Sequence, residues 1–255
     1  MAGCALCRFV WLAAGPYGSS EAYPLINPMA HEDLFQTIAE KYGFSLPEEF
    51  RYLWEKGFCT LVGPAKDHEF TRPGNGYLLI HDMEWYSLEE IVDFEFPEYC
   101  QPHLPHLVPF AFNGAGDNWC WQTDRTDARG MRVLLCAHDS NMATVQAPNF
   151  AGAIYRQILL EACWFYTEGD FAEAWEQNRA FLRRYVVDLA PIFPAQWVET
   201  LRELETRAPV QWTHHPRVGY DRPQTSFLTE TELAAIEAEQ IELAGTEKEV
   251  RWMLD

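Results

Sequence analysis

The sequence predicts an α+β fold: a mixed or antiparallel sheet flanked by helices, followed by an all-helical C-terminal extension. Three observations predict it. Helix-spaced apolar residues lie before and after a run of short strand-like stretches, so helices and sheet are segregated and do not alternate as in a parallel α/β sheet. Turns marked by glycine and proline separate those stretches, as at Pro73-Gly74-Asn75-Gly76. From Thr167 onward helical spacing dominates. The 255 residues, 48% hydrophobic and 15% aromatic, suffice for a substantial core. The organisation expected is an N-terminal extension over 1–29, an α+β domain over 30–167, and a helical extension over 168–255 docked on it, with Gly169 near the boundary.

The elements follow in order. Leu34, Phe35, Ile38 and Tyr42 recur at three- and four-residue spacing, which predicts an amphipathic helix over 30–44. Leu46-Pro47-Glu48-Glu49-Phe50 then puts proline at a first helical position and two carboxylates where they complement the helix dipole. Gly57 ends that short helix, whose apolar face is Phe50, Leu53 and Trp54. Cys59–Gly63 and Tyr77–Ile80 read as strands, and Ser87 with Glu90 has the spacing of a capping box. After a proline-rich loop, Leu107–Phe112, Trp119–Thr123, Met131–Ala137 and Met142–Gln146 read as strands. Asn149 is placed to cap the helix that follows. Between the first two of these strands, Gly114 and Gly116 supply a turn that delivers Asp117. Alternation then sets Trp119 and Trp121 on one sheet face and Cys120 on the other. In the tail, segments around Trp175 and Leu182, around Trp197 and Leu201, and over Thr229–Leu243 carry helical periodicity.

Thirty-eight acids against nineteen Lys and Arg give a formal net charge of −19, which argues against nucleic acid as a partner and fits either simple solubility or a basic partner. The seven cysteines are scattered through apolar context and read as reduced core thiols, which points to a cytoplasmic protein. The Cys4/Cys7 pair has no second pair to complete a zinc site. The apolar run Phe9–Ala14 is too short to span a bilayer, and no membrane role is expected.

The charge is unevenly placed. From Pro73 to Asp124 there is no Lys or Arg, while Asp82, Glu84, Glu89, Glu90, Asp93, Glu95, Glu98, Asp117 and Asp124 all occur, interleaved with Trp85, Tyr86, Phe94, Phe96, Tyr99 and Trp119. Carboxylates that steer and aromatics that anchor are the composition of a protein-binding surface. The partner-binding set expected is Asp82, Glu84, Trp85, Glu89, Glu90, Asp93, Glu95, Asp117 and Trp119. The competing expectation is a solvated acidic face whose aromatics point into the core, with Asp117 accepting backbone N–H groups within its own turn.

Several stretches stand in a familiar order: Leu46-Pro47-Glu48-Glu49-Phe50 with Leu53 and Trp54, then Tyr77–Ile80 leading to Ser87-Leu88-Glu89-Glu90-Ile91. Leu107-Val108-Pro109-Phe110 running into Gly114-Ala115-Gly116-Asp117 and Ala147–Phe150 opening a helix complete the order. Over roughly residues 30–165 this resembles the SUKH superfamily, which includes bacterial immunity proteins and a yeast cell-wall regulator. The resemblance implies a sheet flanked by helices, and a protein that binds and neutralises a cognate polymorphic toxin without catalysis. A basic toxin such as a nuclease would suit the acidic segment. The alternative is a non-enzymatic scaffold or regulatory module whose contacts lie in the tail. No cofactor or metal is expected. His81-Asp82 and His138-Asp139 are adjacent pairs, but neither has helical ligand spacing, and the sequence carries no hydrolase, zincin or phosphate-loop motif.

Overall fold

A computed structural model describes residues 28–59, 80, 82–164, 171–216, 219–241 and 248–254. Helices α1 (Pro28–Tyr42) and α2 (Glu48–Glu55) lead into strand β1 (Glu84–Trp85) and helix α3 (Leu88–Asp93). Strands β2 (Leu107–Phe112), β3 (Asn118–Asp127), β4 (Gly130–Cys136) and β5 (Met142–Ala147) form a meander that ends in α4 (Phe150–Cys163). The tail holds α5 (Phe171–Asp188), α6 (Ala195–Thr206), β6 (Val210–His214), β7 (Arg222–Ser226), α7 (Glu230–Ile236) and β8 (Glu249–Arg251). A π-helical turn over Glu237–Ile241 extends α7.

The main sheet has six strands in the order β1-β2-β3-β4-β5-β8, every neighbouring pair antiparallel. The α+β class follows, with helices against the sheet. The expected caps are present. Ser87 Oγ accepts from Glu90 N (3.1 Å) while the Glu90 carboxylate accepts from Ser87 N (2.7 Å), and Asn149 Oδ1 accepts from Gly152 N (2.7 Å).

The larger core lies between one sheet face and the helices. Trp121 is its hub: its ring centroid is 4.8 Å from Phe50 of α2 in an edge-on contact, 4.6 Å from Phe110 of β2 and 5.9 Å from Phe150 of α4. Such ring pairs add roughly 0.5–1.5 kcal/mol each beyond area burial. As strand alternation requires, Trp119 shares this face while Cys120 turns to the other. That second face is covered thinly, by Phe96, Cys100 and the C-terminal Trp252 over Leu107, Cys120, Leu134, Cys136, Ala143 and Val145. The described cysteines, 59, 100, 120, 136 and 163, are all free and buried. Burial pushes the Cys59 thiol well above its usual pKa.

One expectation is corrected. The tail is not all-helical, since it also contributes the β6–β7 hairpin and the edge strand β8. Val210, Trp212 and His214 alternate with exposed residues at period two, a strand signal only three apolar-side positions long, and β8 exists because Met142, Ala143 and Thr144 of β5 pair with it. Of the strands expected over 59–63 and 77–80, only Cys59, which lies in a turn, and Ile80, which bridges to Met83, are described. The other residues of those strands, the Cys4/Cys7 pair and the Phe9–Ala14 run lie outside the described residues.

Tail and sheet share the larger core. Tyr155 of α4 stacks on Trp197 of α6 at 4.5 Å and 3°, Trp175 of α5 stacks on Phe227 at 3.9 Å, and Tyr52 of α2 donates to the Asp188 carbonyl (3.0 Å). The π-turn adds a polar tie: Tyr155 Oη donates to Gln240 Oε1 (2.6 Å), and burial lifts the Tyr155 phenol to about 12.

Gly130, at the turn from β3 to β4, has φ +122°, and a Cβ added there would lie 2.9 Å from the Asn149 Cβ. Gly130→Ala is therefore expected to cost about 1–3 kcal/mol through strain and overlap with the cap of α4. The urea unfolding midpoint reads the loss, and an unchanged midpoint would show that the turn yields freely.

Candidate partner-binding surface

The acidic segment folds as the sheet's first edge and the helix beside it. β1 pairs with the end of β2, Glu84 opposite Phe112 and Trp85 opposite Ala111. Alternation sends Trp85 inward and leaves Glu84 exposed. The capping box then starts α3, whose Leu88 and Ile91 are buried, so Glu89, Glu90 and Asp93 are left on its solvent side. The chain leaves the helix with Glu95 exposed and Phe96 buried. A 3-10 turn over Glu98–Cys100 follows, with Cys100 inward.

The nine expected contact residues divide into four groups. Glu84, Glu89, Glu90, Asp93 and Glu95 are exposed and consecutive along this edge. Of these, Glu90 is also spent on its cap. Asp82 is exposed but holds a left-handed backbone, φ 58°, and its carbonyl accepts from Trp119 Nε1 at 2.8 Å. Asp82 therefore shapes the loop that closes over Trp119. Trp85 and Trp119, by contrast, are only 7% and 2% exposed and belong to the core. Their expected role as anchors is corrected: two large indoles on the helix-covered sheet face are worth more buried than presented.

Asp117 is drawn inward as well. Its Oδ1 accepts from the His138 backbone N–H at 3.0 Å and lies 2.8 Å from His138 Nδ1, and its Oδ2 accepts from Asn113 Nδ2 at 3.0 Å. Asn113 Oδ1 in turn accepts from Ala115 N and Asp117 N at 3.0 and 2.9 Å. This network ties the β2–β3 turn to the end of β4. The histidine's partner is thus Asp117 and not its neighbour Asp139, because the register of β3 on β4 sets Asn118 opposite Cys136. His81, of the other pair, lies outside the described residues.

Partial burial by itself raises the Asp117 carboxyl, but the bonds from His138 and Asn113 outweigh it and hold the group below its usual range. A depressed folded pKa means stability that is present above the unfolded value and lost as pH falls through the folded one. The stability gap between the wild type and Asp117→Asn is expected to be widest near neutrality and to close below the ordinary carboxylate range. Urea midpoints across that pH series check it, and a gap independent of pH would remove the charged clamp.

The structure brings forward one aromatic absent from the expected contact set. Tyr99 is 68% exposed beside Glu98, while Phe94 and Tyr86 are half-buried, packed on each other at 5.3 Å. Tyr86 also donates to Asn118 Oδ1 at 2.7 Å. At the inner border of the surface, α1 supplies Lys41, whose ammonium caps the carbonyl of Val92, and Tyr42, whose hydroxyl donates to the Ile91 carbonyl at 2.9 Å. Both bonds fix the end of α3 and the orientation of its acidic side.

Among the described residues no group of three or more His, Cys, Asp or Glu side chains is placed to hold a metal ion, and no helix is long and apolar enough to cross a membrane.

A family model, SMI1/KNR4 (SUKH-1), matches residues 29–156, half of the chain. The chain belongs to that family. The match runs from α1 into α4 and takes in the acidic edge, the meander and the Asp117 turn, while α5 to β8 lie beyond it. No curated protein and no solved structure matches the chain.

Proposed function

We propose that this SUKH-1 protein is a cytoplasmic immunity protein that binds and neutralises a cognate bacterial toxin without catalysis. The observation that carries the reading is the exposed run Glu84, Glu89, Glu90, Asp93 and Glu95 on one edge, with Tyr99 beside it, in a stretch free of Lys and Arg. Such an edge attracts a basic face over a distance of roughly 10 Å at ordinary ionic strength and supplies an aromatic contact at its end. Family membership supports the function class, and the acidic edge supports the chemistry of the partner.

Co-expression with toxins encoded next to this gene, followed by a growth assay and pull-down, tests the reading. Protection together with a stable complex is expected, and no protection against any adjacent toxin would sink it. A scaffold acting through the tail is the second reading, favoured by Tyr220, 90% exposed in the connection between β6 and β7, outside the family match. Tyr220→Ala separates the two, because only the scaffold reading makes partner capture depend on it. Deleting the tail would not separate them, since it also removes β8 and Trp252 from the sheet.

A further inference from the structure

Beyond the acidic edge, the hairpin β6–β7 and the end of α4 build a second surface. Period-two alternation puts Trp212 and His214 on one side of β6, where both meet Trp164, the residue that closes α4. The ring centroids of Trp164 and Trp212 are 5.4 Å apart, those of Trp164 and His214 4.7 Å, both edge-to-face at 68° and 83°. Trp212 and His214 are 6.2 Å apart at 81°. The three rings meet edge to face, and Trp164 is 39% exposed, so part of its indole lies open to a partner. Trp212 is held in place by its Nε1–H, which donates to Ser226 Oγ at 2.8 Å.

A carboxylate stands at the rim. Glu230 Oε1 lies 3.0 Å from His214 Nδ1, and its side chain is 45% exposed. The Glu230 contact lacks the alignment of a hydrogen bond, so the His214 ring nitrogen has no aligned partner. Among the described residues the cations lying over rings are Lys41, Arg51, Lys56 and Arg184, and none of them is on this trio.

We propose that this notch binds the guanidinium of an arginine side chain presented by a protein partner. The planar cation stacks on the open part of the Trp164 indole while its N–H fork donates to Glu230. The carboxylate decides between cations. A quaternary ammonium has no N–H to offer it, and an ammonium cannot stack flat on an indole as a guanidinium does. The proposal takes from the preceding reading only that the partner is a basic protein, and it is tested without that partner, so the two fail separately.

The experiment follows the indole N–H resonances of the full chain in 1H–15N spectra, assigned with W164F and W212F, during titration with N-acetyl-arginine amide. Saturable shifts of Trp164 and Trp212 are expected with Kd on the order of 10 mM for this minimal probe. E230Q should weaken binding about tenfold by removing the charge-assisted pair, and W164A should abolish it. The Trp212 resonance, tied to Ser226, reports that the hairpin stays folded in E230Q and W164A. Equal shifts with tetramethylammonium at matched ionic strength, no shift with the arginine derivative, or undiminished binding by E230Q would each overturn the proposal.

Discussion

Replacing Trp252 with alanine is expected to destabilise the fold by about 3–5 kcal/mol, the range for emptying a buried tryptophan site. Trp252 is fully buried in the thin second core, with Val250 and Met253 packed beside it at the border of that core. Its ring lies 5.5 Å from Phe96, and its Nε1–H donates to the Ser140 carbonyl at 2.8 Å. Its main chain bonds on both sides, accepting from Leu104 N at 2.8 Å and donating to the Asn141 carbonyl at 2.9 Å. The side chain therefore joins the 94–104 loop to the β5 edge through one packed ring. Leu254 N donates to the Pro102 carbonyl beyond it (2.6 Å), extending the same seam. Urea unfolding measures the loss, and Trp252→Phe should recover part of it, because the ring contact with Phe96 returns while the bond to Ser140 does not. A second readout is local: Cys100, Cys120 and Cys136 lie beneath this seam, so thiol reagents should label them faster in Trp252→Ala under native conditions. A loss below about 1 kcal/mol with unchanged labelling would mean that the second face is held by its loop alone.

What the sequence made readable follows from how local each signal is. The caps at Ser87 and Asn149 need three or four residues to specify, and both form as expected. The meander is long enough for alternation to assign faces, and Trp121 and Cys120 take the sides their parity dictates. β1 and β8, two and three residues long, carry no period of their own and exist only by pairing with β2 and β5. The acidic edge was readable because exposed carboxylates require no partner. Its aromatics were not, because parity puts Trp85 and Trp119 on one side of the sheet without saying that α2 and α4 cover it. The bond between Asp117 and His138 spans two strands, and a register between strands is a tertiary fact. The rings of Trp164, Trp212 and His214 meet for the same reason, one residue closing a helix and two lying on a distant hairpin.

Reversing charge on the acidic edge carries the largest expected effect on binding. Glu89, Asp93 and Glu95 are the positions to change to lysine, since all three are exposed and none caps or packs. Glu90 is left alone because its carboxylate holds Ser87 N at 2.7 Å, and lysine there would break the capping box and confuse a binding loss with a helix loss. Asp117 is left alone because its carboxylate clamps His138. Three reversals change the local charge by six units, which removes attraction for a basic face and replaces it with repulsion. Association with a basic toxin should slow by about 10- to 100-fold at low salt, with a smaller change in dissociation, because exposed charges at a rim act mainly on encounter. The salt dependence should flatten or invert as well, since screening then relieves repulsion. Unaltered urea midpoints in the triple variant would certify the fold. If association and its salt dependence were unchanged, the acidic edge would be a solvated face, and the partner's contacts would have to be sought on the tail.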